Sequence, residues 1–551
     1  MFLPAELWNN FDPDKGDFKE KIIFAETRNG IYKKNSYISA YLLGEEIRVF
    51  VKYSVKEGLK KAPGLLDVHG WMSTASIDNT YVQDGWAVMS YDYCGKNQRT
   101  EYTKYPEALR HGNMSREMGP PIWSTKVDGQ SIKDPKETSD YIWYAIQRRV
   151  LSYFLTHKEV DLDRIGAKGY SYGGTIMWNL GMDERVKAIV SYFGIGWNEY
   201  YRSRHVWLYN NPYVEPQKTP GESLYLKMVA PQSHVPHIKA ATLWLNGTND
   251  HHGGYERADL TFAMFADDVP WSFALRPRGH HNTEGINQDA KLWLEKYVLN
   301  KDIFWPDQAK VKIDLDANGI PQFTCTPKSP ERIKKVSIYY SQKTPVSFGR
   351  AWRDSISKRV DDEWIASLPV MNTKDDVFAF ANIEYDNTVV ISTSFEAKIP
   401  SKLGNAIATD KPSEKLSEGT GKWLNVAPAE GLKGVRGFRV LYKNCGTITA
   451  EFSDPRYQAP EGKQLMFDFY CTQPQKIIFK ANDHFQKIIN ISASNEWQSM
   501  VLQSNEIINR HNQYPLSSWD QVKKVGLNSV DGYDITQIVF ANFRWVDANQ
   551  N

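Results

Sequence analysis

The sequence predicts an α/β fold with a mostly parallel, doubly wound sheet in its first half, followed by all-β modules of the sandwich or jelly-roll type. Up to about residue 300, short apolar runs alternate with helical patterns, as strands and helices do around a parallel sheet. After about residue 305, period-two alternation dominates, which is typical of half-buried strands. A chain of 551 residues is also too long to fold around a single hydrophobic core. We expect an α/β domain at 1–305, a β-sandwich at 306–400 and a jelly-roll-like module at 401–551, the last a candidate for association with carbohydrate.

Each element of the first half has its own sequence signal. A period-two stretch predicts an early strand, and short apolar runs, several of them ending in glycine, predict buried strands. The predicted strands are 46–53, 64–70, 86–95, 164–169, 186–194, 241–247 and 271–277. Helices are expected at about 134–156, from about 172, and at 286–300. For the first helix, Asp134 is the expected N-cap, Pro135 the first helical residue and Glu137 the partner in a capping box. The stretch 195–236 is long for a connection, and it is either a cap over a site or a disordered loop.

Many short alternating runs fill the second half. They include "VKIDLDANG", "DVFAFANIEY", "QLMFDFYC" and "ITQIVFANFRWV", and their even spacing favours β-sandwiches. The polar stretch 401–421 separates two groups of runs and is expected to be a linker or a long loop. Trp497, Trp519 and Trp545 are candidates for stacking on sugar, with core packing as the simpler interpretation.

Bulk properties exclude several classes of protein. The formal net charge of +2 gives no basis for a nucleic-acid partner. No apolar run reaches the ~20 residues that a membrane helix needs. The N-terminus lacks a basic region followed by an apolar stretch, so the expected compartment is the cytoplasm, or the periplasm or exterior if the sequence is trimmed. The four cysteines are scattered without a CxxC pair, and no cofactor or metal is expected. The oligomeric state is left open.

The stretch "AKGYSYGGTIMW" contains the motif that points to chemistry. Gly169-Tyr170-Ser171-Tyr172-Gly173 is a G-x-S-x-G sequence between a predicted strand and a predicted helix. On such a turn the motif forms a nucleophile elbow, in which a strained serine projects above the sheet and the helix N-terminus favours developing negative charge. The alternative is a glycine-rich turn with a surface serine. The context of strand and helix favours the elbow.

A serine nucleophile needs a histidine base and an acid that orients it, here in the chain order Ser, Asp, His. Asp250 follows the predicted strand 241–247, and His280 and His281 follow the strand 271–277. The Gly-His pair favours His280 as the base, whereas the count from the strand end favours His281. His251 and His252 lie too close to Asp250 in sequence to act as base, and they are candidates for substrate contact or structure. No HExxH or other metal-ligand spacing occurs.

The oxyanion of an acyl-transfer reaction requires two N–H donors. The backbone N–H of Tyr172, directly after the nucleophile, is the first candidate. The second comes from the loop after "LLDVHGW", with Trp71 favoured and Gly70 as the alternative. His69 in the same loop is a candidate substrate-binding residue, or a packed and hydrogen-bonded one.

Together, "LLDVHGW", "GWAVMSYDYCG", "VDLDRIGAKGYSYGG", "LWLNGTND" and "RPRGHH" resemble the α/β-hydrolase superfamily, and within it the acetyl xylan esterase and dienelactone hydrolase-like enzymes. The resemblance spans about residues 40–300. It implies a serine hydrolase with Ser171 as nucleophile, Asp250 as acid and His281, or alternatively His280, as base. It further implies an esterase acting on a small-molecule or polysaccharide ester, most simply an acylated carbohydrate. The alternatives are a serine peptidase of the same fold and a non-catalytic carbohydrate-binding protein with an inactive hydrolase domain.

Overall fold

The structure is a computed structural model. It describes residues 4–71, 73–96, 101–113, 126–127, 130–194, 220–250, 252–255, 258–344, 349–416, 423–443, 446–482 and 484–548. Within these ranges, no helix is both long and apolar enough to cross a membrane.

A nine-stranded sheet organises the first half of the chain. Its strands are β1 (Lys21–Arg28), β2 (Ile31–Leu42), β3 (Glu45–Lys56), β4 (Ala62–Val68), β5 (Ala87–Tyr91), β8 (Val160–Tyr170), β9 (Ala188–Tyr192), β10 (Ala241–Gly247) and β11 (Trp271–Arg276), while β6 (Lys126–Val127) and β7 (Gln130–Ser131) form a separate hairpin. The order across the sheet is β1-β2-β3-β5-β4-β8-β9-β10-β11. The pairs from β1 to β5 are antiparallel, and those from β5 to β11 are parallel. The parallel part therefore brings the carboxyl ends of β4, β8, β9, β10 and β11 to one edge.

Seven α-helices accompany the sheet within the described part of the chain. They are α1 (Asn79–Gln83), α2 (Ser139–Phe154), α3 (Tyr172–Leu180), α4 (Pro220–Met228), α5 (Pro231–His234), α6 (Ala258–Phe262) and α7 (Gln288–Tyr297). Apolar clusters that combine helix and sheet residues lie against the sheet, as in a doubly wound fold. Each predicted strand of the first half has a counterpart, whereas β1 and β2 were not predicted.

The start of α2 differs from the expectation. Asp134 caps a separate 3₁₀ turn, Pro135–Glu137, by accepting the N–H of Lys136. The helix begins after Thr138, whose hydroxyl accepts the N–H of Tyr141 at 3.2 Å. Glu137 accepts the N–H of Lys133 instead of closing a capping box. Asp134 and Thr138 are both favoured cap types and each caps the turn that follows it, so the α-helix itself begins about one turn later than predicted.

Two antiparallel sandwiches follow. The first sandwich contains β12 (Lys310–Leu315), β13 (Pro321–Thr326), β14 (Ile333–Gln342), β15 (Arg353–Ser355), β16 (Ser357–Val360), β17 (Glu363–Ser367), β18 (Val377–Tyr385), β19 (Val390–Ser392) and β20 (Glu396–Lys398). One sheet has the order β12-β13-β17-β16, and the other joins β15-β14-β18-β19 with β20 beside β18. A single buried cluster takes residues from both sheets, including Phe323 and Ile338, which makes the pair of sheets a sandwich.

The second sandwich is built in the same way. Its strands are β21 (Val426–Glu430), β22 (Arg436–Val440), β23 (Thr447–Thr449), β24 (Lys463–Tyr470), β25 (Gln475–Ala481), β26 (Phe485–Ile491), β27 (Gln498–Leu502), β28 (Ile508–Asn509), β29 (Val525–Ser529) and β30 (Val539–Asp547). The sheet orders are β21-β22-β30-β24-β27 and β23-β29-β25-β26-β28. Trp519 and Trp545 are buried in the shared core, so their rings are not free to stack on a ligand, and the indole N–H of the half-buried Trp497 donates to the carbonyl of Leu432 at 2.9 Å.

Candidate active site

Ser171 lies on a strained turn between β8 and α3. Its backbone has φ 56° and ψ −120°, a combination that L-residues rarely adopt. The serine N–H donates to the carbonyl of Tyr192 at the end of β9, at 2.8 Å, and its carbonyl accepts the N–H of Thr175. These bonds to a neighbouring strand and to the first turn of α3 hold the serine in the conformation of a nucleophile elbow.

The glycines of the motif allow backbone segments to approach each other closely. A methyl group on Gly173 would lie 2.6 Å from the carbonyl oxygen of Val68, and closer still to that of His69. A methyl group on Gly169 would collide with the carbonyl of Gly173 itself. Any larger residue at either position would therefore push apart β8 and α3, which form the turn, or β4, which packs against it.

The oxyanion candidates lie on the two segments that flank the serine. β4 runs parallel to β8 with Val68 paired to Gly169, so the chain leaving β4 passes the elbow. A Cβ atom on Gly70 would lie 3.2 Å from the Cβ of Ser171. Trp71 follows with 42% of its surface exposed, and Tyr172 is the first residue of α3, where backbone N–H groups are free of helical partners.

His69 is buried behind this loop. Its ring stacks on Tyr93 with centroids 4.7 Å apart, and Nε2 lies 3.4 Å from a carboxylate oxygen of Asp92. His69, Asp92 and Cys94 form the one group of three or more potential metal ligands found among the described residues, with ligand atoms within 4.8 Å of one another. The second oxygen of Asp92 accepts the N–H groups of Gly95 and Thr103. These contacts indicate a structural role for His69 and Asp92, and we assign no metal here.

Asp250 and His281 meet at the ends of β10 and β11. The Nδ1 atom of His281 lies 2.6 Å from Oδ2 of Asp250. The other carboxylate oxygen accepts the N–H groups of His252 and Gly253, each at 2.6 Å, so the buried carboxylate is held in one orientation. Burial lowers the pKa of His281, but the Asp250 carboxylate raises it by more, and the pKa lies above the ordinary histidine value. The His281 side chain nevertheless remains 31% exposed.

His280 has different surroundings. Its Nδ1 lies 3.0 Å from the carbonyl oxygen of Asn249, which joins the two loops that carry Asp250 and His281. Burial lowers the pKa of His280 below the ordinary value, only partly offset by that hydrogen bond. The two adjacent histidines are thus distinguished by their partners, a carboxylate for His281 and a backbone carbonyl for His280.

Two residues connect the serine to the acid and base loops, and sequence reasoning did not anticipate their contacts. Phe193 has a positive φ of 57° directly after Tyr192, and its ring centroid lies 4.3 Å from that of His281. Thr175, one turn into α3, lies 3.2 Å from Nε2 of His252. The sequence did offer one signal for Phe193: it directly follows a predicted parallel strand, and such positions lie at the same sheet edge as the candidate site. His251 lies outside the described residues, as does 195–219, the larger part of the predicted cap.

A buried lysine lies beneath the elbow. Lys168 on β8 is paired in register with Asp67 on β4. Its ammonium lies 2.6 Å from a carboxylate oxygen of Asp78 and 3.2 Å from the hydroxyl of Tyr170. Burial raises the pKa of Asp67 to about 6, against the lowering effect of Lys168. This network joins β8, which ends just before Ser171, to β4, which ends just before residues 69–71.

Comparison with known families agrees with this architecture. Residues 147–297 match the model of the prolyl oligopeptidase family, a family of serine hydrolases with an α/β-hydrolase domain. No curated protein sequence matches the chain. The first half of the chain is thus an α/β-hydrolase-type domain, with a match to a serine-hydrolase family over residues 147–297, and antiparallel β-sheets follow it.

Solved structures similar to this chain share little sequence with it. Acetyl xylan esterase 1 from Thermoanaerobacterium sp. JW/SL YS485 is 17% identical, with a TM-score of 0.42 over 53% of this chain and 92% of its own. An acetyl xylan esterase from Paenibacillus sp. R4 is 19% identical, with a TM-score of 0.42 over the same shares, 53% and 92%. The acylaminoacyl peptidase of Pyrococcus horikoshii is 16% identical, with a TM-score of 0.34 over 53% of this chain and 52% of its own.

Proposed function

We propose that this protein is a serine esterase that removes small acyl groups from a carbohydrate through an acyl-enzyme on Ser171. The observation that carries the proposal is the 2.6 Å contact between His281 and Asp250. Both residues lie on loops that follow β10 and β11 at the sheet edge where the elbow follows β8. A serine hydroxyl becomes a nucleophile only when a histidine takes its proton, and that histidine needs an oriented acid. The assignment of Ser171, His281 and Asp250 to these roles is part of the proposal.

In the first half-reaction, the Ser171 hydroxyl attacks the ester carbonyl as its proton moves to Nε2 of His281. Asp250 keeps the Nδ1 proton of His281 in place and stabilises the imidazolium that forms. The imidazolium then protonates the leaving alcohol, and the acyl group remains on Ser171. Water, deprotonated by the same histidine, releases the acid and restores the serine.

The negative charge of each tetrahedral intermediate falls beside the N-terminus of α3. We assign the backbone N–H of Tyr172 and that of Trp71 as the two donors, with Gly70 as the alternative to Trp71. The proximity of residue 70 to Ser171 supports a donor from this loop, and the partial positive charge of a helix N-terminus favours the oxyanion.

The choice of an acylated sugar rests on the surroundings of the serine. The Trp71 ring is exposed next to the elbow, and an exposed indole offers a flat face on which a sugar ring can stack. The stretch 195–236 mixes aromatic residues with Arg, His, Asn and Gln, whereas a tunnel for long acyl chains would be lined by aliphatic residues. His252, beside Thr175, is a candidate for contact with a hydroxyl, and His251 is retained as a second candidate from the sequence.

A peptidase of the same fold is the second candidate. The match of residues 147–297 to the prolyl oligopeptidase family favours it, because the same triad chemistry cleaves amides. The two functions differ in the leaving group that the pocket accepts and in the group that anchors the substrate.

A substrate panel separates the two candidates. Purified protein is incubated with acetylated xylo-oligosaccharides, with a series of nitrophenyl esters of increasing acyl length, and with aminoacyl and acylaminoacyl nitroanilides. We expect acetate release from the oligosaccharides and falling activity beyond about four carbons of acyl chain. Cleavage of the nitroanilides without release of acetate would replace the esterase with the peptidase. A preference for chains of about eight carbons or more would refute the carbohydrate substrate while leaving the serine mechanism in place.

A further inference from the structure

We propose that the first sandwich is a working part of the active site, because its segment Arg350–Asp354 positions the loops that carry Asp250 and His281. This inference rests on the proposed function, since it assigns positioning residues to that same site. On this proposal the first sandwich contributes to the geometry of the site, unlike a module that is only linked to a catalytic domain.

The contact begins at β11, the last strand of the nine-stranded sheet. Among the described residues, one side of its backbone therefore has no strand of that sheet beside it. At Leu275, the hydroxyl of Ser392 accepts the N–H at 2.7 Å and the amide of Asn382 donates to the carbonyl at 2.9 Å. Ser392 and Asn382 are also joined to each other at 2.6 Å. Two side chains of β18 and β19 thus take the place of a strand six residues before His281.

A second contact holds the acid loop. The side-chain amide of Asn249, directly before Asp250, donates to the carbonyl of Arg350 at 2.8 Å. Arg350 is itself buried, with Nε donating to the carbonyl of Thr344 at 2.8 Å and its guanidinium 4.0 Å from the ring centroid of Phe378. The accepting carbonyl therefore belongs to a residue that is buried and held by two contacts within the sandwich.

A third contact holds the base loop. Arg278 has a φ of 58°, a left-handed conformation that its surroundings must maintain. Its backbone N–H donates to the hydroxyl of Thr248 at 2.7 Å. Its guanidinium donates to both carboxylate oxygens of Asp354, at 2.8 and 3.3 Å, and to the carbonyl of Trp352 at 3.3 Å.

The two loops are also joined to each other within this framework. The N–H of Asn249 donates to the carbonyl of Gly279 at 2.8 Å, and His280 returns a hydrogen bond to the carbonyl of Asn249. A displacement of either loop relative to the sandwich therefore alters the contact between Asp250 and His281. Arg278, Asp354 and Asn249 act through that contact, which makes them positioning residues.

The experiment uses the full chain with Arg278→Met and Asp354→Asn, and it follows the rate at which a fluorophosphonate probe labels Ser171. The side chain of Asp354 is 68% exposed, so this substitution is compatible with folding. Matched controls come from the Arg332–Asp386 pair of the same sandwich, which has a similar bidentate geometry and a 54% exposed aspartate, as Arg332→Met and Asp386→Asn.

We expect Arg278→Met to slow labelling about tenfold and Asp354→Asn about threefold, with unchanged thermal midpoints and no change in either control. We also expect the acid limb of the pH–rate profile to move to lower pH in Arg278→Met, because a loosened Asp250 contact no longer raises the pKa of His281. Labelling of both variants at the wild-type rate and with the wild-type pH profile would overturn the positioning role. Failure of the wild-type protein to label at Ser171 would instead overturn the proposed function, and the positioning role with it.

Discussion

The two sides of the candidate site are held in different ways. On the nucleophile side, Ser171 is positioned by β8, β9, α3 and the chain leaving β4. All of these lie within the α/β domain and make close backbone contacts at glycines. On the acid and base side, the loops after β10 and β11 take partners from the first sandwich. The first arrangement depends on backbone proximity, and the second on side chains that reach across a module boundary.

This difference shows what each side tolerates. Close backbone packing permits almost no substitution, because a methyl group has no space to occupy. By contrast, loss of one exposed ion pair or hydrogen bond across an interface costs little free energy, because water takes the place of the missing partner. We therefore expect changes to the backbone packing of the nucleophile side to destabilise the fold strongly, and changes to the sandwich contacts of the acid and base side to reduce the rate by degrees.

The largest effect is expected from Ser171→Ala. The variant removes the hydroxyl without adding volume to the turn, so folding should persist while turnover of an activated acetyl ester falls by about four orders of magnitude or more. Hydrolysis assays together with circular dichroism test this. Retention of most activity would show that the chemistry occurs elsewhere.

The adjacent histidines provide the next comparison. His281→Ala removes the proposed base, and we expect a loss of about a thousandfold or more in kcat. His280→Ala removes a bond between two loops, and the loss should be smaller, about tenfold. Steady-state kinetics of both variants measures the two losses in kcat. A larger loss for His280→Ala would assign the base role to His280.

Gly173→Ala tests the backbone packing of the nucleophile side. The added methyl group would overlap the carbonyl oxygens of Val68 and His69, and we expect a loss of about 3 kcal/mol in the free energy of unfolding. Gly181→Ala at the other end of α3 is the matched control, since its methyl group would meet only side-chain carbons of Ile189 and Ile238 at 3.0 Å or more. Urea denaturation of both variants measures the difference. Equal stability would contradict the packing argument.

The smallest effect is a shift of the pH dependence in the unmodified protein. The base is active only when neutral, so activity should fall as the pH decreases through the pKa of His281. Because Asp250 raises that pKa, the acid limb of kcat/KM should lie above the ordinary value of about 6.5. A pH–rate profile with a neutral acetyl ester measures it. An acid limb well below that value would indicate that the contact between Asp250 and His281 does not persist in solution.

Local patterns were sufficient for most of the α/β architecture. The strand 241–247 was predicted with the bounds that β10 has, and the others were placed within a few residues. The predicted start of α2 was about one turn too early, because Asp134 caps a separate 3₁₀ turn and Thr138 caps the α-helix itself. β1 and β2 were not predicted. Every residue of β1 is exposed or only half-buried, so its sequence shows little alternation of apolar and polar residues.

The sequence by itself determined the elbow, because the strained conformation of the serine needs glycines close to it in the chain, and a short local motif supplies them. It also determined that Asp250 and the two histidines follow strands of a parallel sheet, whose carboxyl ends share one edge. Which histidine faces Asp250 was decided only by the tertiary structure, in which His281 contacts the carboxylate and His280 contacts the carbonyl of Asn249. Two adjacent residues of the same type carry no local signal that separates them. The part played by the first sandwich was likewise decided there, because Asn249 and Arg350 are 101 residues apart, and such a contact leaves no periodicity or spacing in the chain.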